Sequence, residues 1–181
     1  MGKKISEEQK ERIAAIRRQE NYNKLKPEVL KIATELTGSA VRPDSVLSMD
    51  AFDEMLDDRG DKNFKANFLA LTFTEKELPK LKDLVAQYFQ QTKGLSHLVI
   101  NLDDEWFNVK IDGSAVADKF DMLVKLLKSG IVDVHDTALE NGFDIELGED
   151  YYYADGEVSL MPLYEIRFFG KDCIRQMVSA L

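Results

Sequence analysis

Apolar positions in the N-terminal third recur at helical spacing. Residues 5–24 are rich in strong helix formers and contain no Gly or Pro, which predicts a helix. Its apolar side is sparse (Ile5, Ile13, Ile16), so that helix is expected to pack weakly or to project into solvent. Pro27 suits the first turn of a second helix, with Val29, Ala33 and Leu36 as its buried stripe and Gly38 as its C-cap. The stretch "GSAVRPDS" (38–45) predicts a linker. A short helix is expected from Ser48 or Asp50, with Phe52, Met55 and Leu56 on its apolar side and "RGDKN" breaking it. "NFLALTF" (67–73) has strand character, although the residues around it also fit a helix.

Thr74 and Glu77 form a capping-box pattern. The helix that follows carries Leu78, Leu81, Val85, Tyr88 and Phe89 as its stripe, and starts either there or at Pro79. "LSHLVIN" (95–101) and "WFNVKI" (106–111) predict an antiparallel hairpin, with Phe107, Val109 and Ile111 on one face. A single helix is expected over 114–129, with Val116, Phe120, Leu123, Val124 and Leu127 in the core and Gly130 closing it. "FDIEL" alternates strictly, placing Phe143, Ile145 and Leu147 inward and Asp144 and Glu146 outward. Asp155-Gly156 is a hairpin turn signal between "YYYA" and "EVSL". "YEIRFF" is a further strand with Pro162 as a break or bulge before it, and "KDCIRQMVSAL" is a terminal helix. Helices and strands do not alternate regularly. The fold class is therefore α+β, a mainly antiparallel sheet with packed helices, preceded by an N-terminal helical segment.

Charge divides the chain in the same place. Residues 1–42 hold ten lysines and arginines against six acids, whereas 43–181 hold fourteen against twenty-seven. The organisation expected is a weakly basic helical segment (1–42) joined to an acidic α+β domain (43–181). An acidic body repels nucleic acid and attracts basic protein surfaces. No apolar run is long enough to cross a bilayer, and the N-terminus has no signal-like segment. The single cysteine, Cys173, rules out an internal disulfide and a Cys-based zinc cage. A cytoplasmic location is the simplest expectation.

Candidate chemistry is thin. In "DVHD", a strand would place Asp133 and His135 on one face, with Asp136 next in sequence. A carboxylate beside an imidazole could work as an acid–base pair or bind a metal, and His97 could join them if its strand were a neighbour. Two histidines are a poor ligand supply for zinc, and no cofactor is expected. There is no nucleophile elbow and no phosphate-binding glycine motif, and Cys173 falls on the apolar side of its helix. Lys10, Arg17, Arg18, Lys24 and Lys26 of the N-terminal helix could touch nucleic acid. They are interleaved with Glu7, Glu8, Glu11 and Glu20, the pattern of a solvated helix held by ion pairs.

The most unusual stretch is residues 131–157, with nine acids, three consecutive tyrosines and no lysine or arginine. Tyrosines among carboxylates make good interface material, combining large rigid area with steering charge. The expected partner-binding residues are Asp144, Glu146, Glu149 and Asp150, the tyrosines Tyr151, Tyr152 and Tyr153, and Asp155 and Glu157 around the turn. This character resembles that of toxin-immunity proteins and phage-type inhibitors of nucleases or defence enzymes. The leading expectation is thus a non-catalytic acidic protein that neutralises a basic partner enzyme by steric and electrostatic blocking. The alternatives are a metal-dependent or hydrolytic enzyme using Asp133, His135 and Asp136, and a nucleic-acid-contacting regulator acting through the N-terminal helix.

Overall fold

The first helix does not stop at Pro27. In the computed structural model, which describes residues 6–63, 68–92, 94–103, 105–127, 131–154 and 157–179, a single helix α1 runs from Glu7–Thr37. Ser6 caps it in a capping box with Gln9, and Gly38 closes it at φ 67°, a left-handed conformation that glycine adopts without strain. Proline inside a helix removes one hydrogen bond and costs about 3 kcal/mol. Here one buried stripe (Tyr22, Leu25, Val29, Ala33, Leu36) spans the proline and holds both halves to the same core. Residues 6–20 are exposed throughout, as their sparse apolar positions predict.

The chain continues through a 3-10 turn (Pro43–Ser45) into α2 (Met49–Asn63), which runs through "RGDKN" instead of ending there. Gly60 inside a helix costs only about 1 kcal/mol, and the residues around it are acceptable helix formers. Strand β1 (Phe68–Thr74) follows, then a 3-10 turn held by the Thr74–Glu77 capping box, and α3 (Leu78–Gln91). Strands β2 (Leu95–Leu102) and β3 (Glu105–Asp112) form the expected hairpin. The helix expected over 114–129 divides into α4 (Ser114–Ala117) and α5 (Phe120–Leu126), because the Lys119 N–H bonds to Val116 O in a tight turn. Val116, Phe120, Leu123 and Leu127 still reach the core. β4 (Val132–Asp136), β5 (Gly142–Ala154), β6 (Glu157–Phe169) and α6 (Lys171–Val178) complete the chain. Ile5, Asn67, Ser129, Gly130 and the Asp155-Gly156 turn lie outside the described residues.

The six strands form one antiparallel sheet in the order β1-β6-β5-β4-β2-β3, which is an α+β fold. Alternation gives it two faces. The inner face (Leu98, Ile100, Phe107, Val109, Val132, Val134, Phe143, Ile145, Ile166, Phe168) packs against α1, α3, α4, α5 and α6. Residues 22–36 of α1 belong to that same core, and Tyr22 stacks on Phe107 with ring centroids 4.4 Å apart. The outer face carries a smaller cluster in which Phe52 and Met55 of α2 meet Val99 and Leu139. α2 therefore covers the half of the outer face formed by β2, β3 and β4. The other half, at β5, β6 and β1, carries the charged residues Asp144, Glu146, Glu165 and Arg167 beside Thr72, Ala70, Phe68 and Phe169.

β5 and β6 are much longer than their neighbours. β4 pairs with β5 only as far as Val132↔Ile145, and β1 pairs with β6 only as far as Thr74↔Leu163. Beyond those pairs, β5 and β6 continue as a two-stranded arm to Ala154↔Glu157. Pro162 sits within β6 opposite Glu149 without breaking the strand. Proline is tolerated where a strand has an open edge, and beyond the last β1 and β4 pairs the ribbon is open on both sides.

Candidate functional site

The outer face carries several ionisable residues in adjacent cross-strand rows. One row runs Lys110 (β3), His97 (β2), His135 (β4), Gly142 (β5) and Phe169 (β6); the next runs Asn108, Val99, Asp133, Asp144 and Arg167; Glu146 and Glu165 face each other beyond it.

The two histidines of the chain are direct cross-strand partners, His97↔His135, so β2 and β4 are indeed neighbours. His97 Nδ1 lies 2.7 Å from Asn108 Oδ1, and the Asn108 amide donates to Met55 Sδ at 2.9 Å. Asn108 thus accepts from His97, which places the proton on Nδ1. Burial pushes the His97 pKa down, partly opposed by this hydrogen bond and reinforced by Lys110 and His135. His135 has no exposed surface. Its Nε2 lies 2.6 Å from Asp133 Oδ1, but off the line of the ring N–H, so the contact is electrostatic and not a well-formed hydrogen bond. Its Nδ1 has no hydrogen-bond partner among the described residues. Phe169 packs against its ring at 4.9 Å, across Gly142. A Cβ on Gly142 would come within 2.4 Å of both the Phe169 ring and the Val134 carbonyl, so the glycine makes room for this closure.

Asp136 does not join the pair. Its carboxylate accepts from the Glu140 N–H and the Asn141 side-chain amide, both at 2.9 Å, and so shapes the β4–β5 turn. Among the described residues no three His, Cys, Asp or Glu side chains are placed to hold a metal ion. A general base needs alignment with the proton it removes and a route for substrate. The His135–Asp133 pair is misaligned and sealed.

The open half of the outer face is acidic but not uniformly so. Arg167 Nε lies 2.7 Å from Asp144 and 3.8 Å from Glu165, and its Nη2 lies 3.4 Å from Glu146. The Asp144 hydrogen bond raises the Arg167 pKa. Asp144, expected on an exposed face, is only 14% exposed and shares this guanidinium. One arginine facing three carboxylates leaves the cluster negative. Beside it, at the root of the arm, a shallow groove of about 290 Å³ is lined by Thr72, Glu146, Gly148, Glu149, Leu163 and Glu165.

The arm is the exposed part of the acidic stretch. Tyr151 is 68% and Leu160 56% exposed, and they are direct cross-strand partners. Glu149 and Asp150 beside them are exposed. No lysine or arginine occurs between Lys128 and Arg167. By register, Tyr151 and Tyr153 continue the inner face and Tyr152 the outer; only the backbone is described for Tyr152, Tyr153 and Glu157, and Asp155 lies outside the described residues. Leu160, Glu165 and Arg167 were missed by the sequence reading. The signal was present: counting outward from the Asp155-Gly156 turn brings Leu160 opposite Tyr151 and Arg167 opposite Asp144.

Two other sets of candidate residues lie elsewhere in the fold. On α1, Lys10 pairs with Glu7, and Arg18 pairs with Asp53 and Glu105. Cys173 is buried, donates to Gly142 O at 3.6 Å, and its pKa is pushed up to about 12 by burial, which leaves it an unreactive thiol. No helix among the described residues is long and apolar enough to cross a membrane. No protein family matches the sequence, and no curated protein or solved structure matches it significantly.

Proposed function

We propose that this chain is a non-catalytic binding protein that neutralises a basic partner, such as a nuclease or another nucleic-acid-handling enzyme, by covering its basic surface. The observation that carries this reading is the arm. It extends past the sheet, exposes Tyr151 and Leu160 as a cross-strand pair, and sets Glu149 and Asp150 beside them with no nearby cation in the sequence. An exposed aromatic and aliphatic pair supplies contact area, and the carboxylates around it steer a basic surface and fix its register. The acidic open half of the outer face lies at the root of the arm, on the opposite face of the sheet from the Tyr151–Leu160 pair, and adds to the negative charge there.

The test is affinity capture from the native host at low and moderate salt, using the wild-type chain and a Glu149→Lys, Asp150→Lys, Tyr151→Ser variant. A basic protein should be retained by the wild type, released as salt rises, and lost by the variant. Equal retention by the variant would sink the proposal. The enzymatic alternative rests on the 2.6 Å approach of His135 to Asp133. It requires the outer-face cover to open, and loss of function in His135→Ala without loss of stability would favour it.

A further inference from the structure

The two edges of the sheet are treated differently. The edge at β3 carries Glu105, Lys110 and Asp112, and it is capped where Val46 bridges Val109 and the Leu47 N–H donates to Asn108 O. Among the described residues, the edge at β1 has none of these devices. Its sequence, FLALTFT, holds no charge and no proline, and among the described residues no strand pairs with its outer side. Phe68 there is 65% exposed. A long, uncharged, unpaired edge is a template for another strand, and proteins normally blunt it.

From this edge we infer that β1 is a docking site for an extended segment of the partner, which adds to the sheet as a seventh strand and alternates basic with apolar side chains. The inference rests on the acidic-docking reading and specifies how the partner engages. The chemistry follows from the two faces of β1. Leu69 and Leu71 are half-buried on the inner side and would leave an added strand's inward residues beside apolar surface. On the other side lie Phe68, Ala70 and Thr72, all exposed; Ala70 is opposite Arg167, which three carboxylates hold, and beyond Thr72 lies the groove lined by Glu165, Glu146 and Glu149. Strands lie about 4.8 Å apart, so Glu165 on β6 sits roughly 10 Å from an added strand. A lysine or arginine reaching inward over Thr72 and a glutamate reaching outward can span that distance together. Backbone pairing supplies affinity in such complexes and the alternate side chains supply specificity.

The test uses the full chain and two peptides of equal composition, one alternating lysine and valine, the other with lysines and valines in separate blocks. Binding is followed by titration and by amide exchange over residues 68–74. The alternating peptide should bind at least about fivefold tighter than the block peptide and should slow exchange at alternate amides of β1. It should also weaken several-fold with Glu165→Gln. Equal binding of both peptides with unchanged exchange in β1 overturns strand addition and leaves the acidic-surface reading standing. Binding of neither peptide also overturns it, and the acidic-surface reading is then judged by the arm variant alone. If β1 exchange slows on raising protein concentration without peptide, a second copy occupies the edge and the proposed partner segment is wrong.

Discussion

At the scale of single residues, the outer face is governed by what surrounds each charge. His97 is buried and its pKa is depressed in the folded chain. The unfolded chain therefore binds more protons below about pH 6.5, where a free histidine titrates, and stability must fall as pH drops from there toward the folded pKa. Urea unfolding at pH 7.5 and at pH 5 should show the wild type losing more stability than His97→Gln over that interval. Arg167 is a second test. Replacing it with Met removes the guanidinium from Asp144, which has little solvent to replace it, and should cost about 1–2 kcal/mol in urea unfolding. Gly142→Ala should cost more, about 2–3 kcal/mol, because one of the two groups its methyl would strike is a backbone carbonyl that cannot swing aside.

At the scale of elements, α1 has two halves with different duties. Its residues 6–20 are exposed, whereas Tyr22, Leu25, Val29, Ala33 and Leu36 are core. Deleting residues 1–17 should change stability by less than about 0.5 kcal/mol. Leu25→Ala should cost about 2–4 kcal/mol. Chemical denaturation of both variants distinguishes a projecting helix from one integral along its whole length. The arm behaves like the outer half of α1. Tyr151 and Leu160 are exposed, so changing both to Ser should leave the unfolding midpoint close to wild type while weakening partner retention. A large loss of stability would mean that the arm is structural and not a docking element.

At the scale of the whole molecule, the proposed docking reading makes the formal charge of −9 and the open acidic half-face a source of long-range attraction for a basic partner. Its association rate should fall steeply between low and physiological salt while dissociation changes less, measurable by stopped-flow mixing once the partner is in hand. A salt-independent association rate would count against the field as the steering agent.

How much of this was legible in the sequence depends on the range of the interaction. Alternation in "FDIEL" and "WFNVKI", the Gly38 cap and the Thr74–Glu77 capping box are local, and each appears in the structure where the pattern places it. So does the α+β class, since irregular ordering of helices and strands already disfavours a parallel sheet. The misjudged boundaries are the places where packing outweighs local preference. Pro27 lies inside a helix because one core grips both sides of it, and Pro162 lies inside a strand because the sheet there narrows to two strands. The acidic stretch shows the limit most clearly. Its lack of positive charge was plain along the chain, but the structure divides it three ways: Asp133 and His135 are buried, Asp144 and Glu146 share Arg167, and Glu149, Asp150 and Tyr151 stand exposed on an arm. Sequence by itself determined which residues alternate and where charge is scarce, because both are properties of neighbours along the chain. Only tertiary structure decided which strands lie side by side, and with it which carboxylates are neutralised, because strand order depends on contacts between residues far apart in sequence.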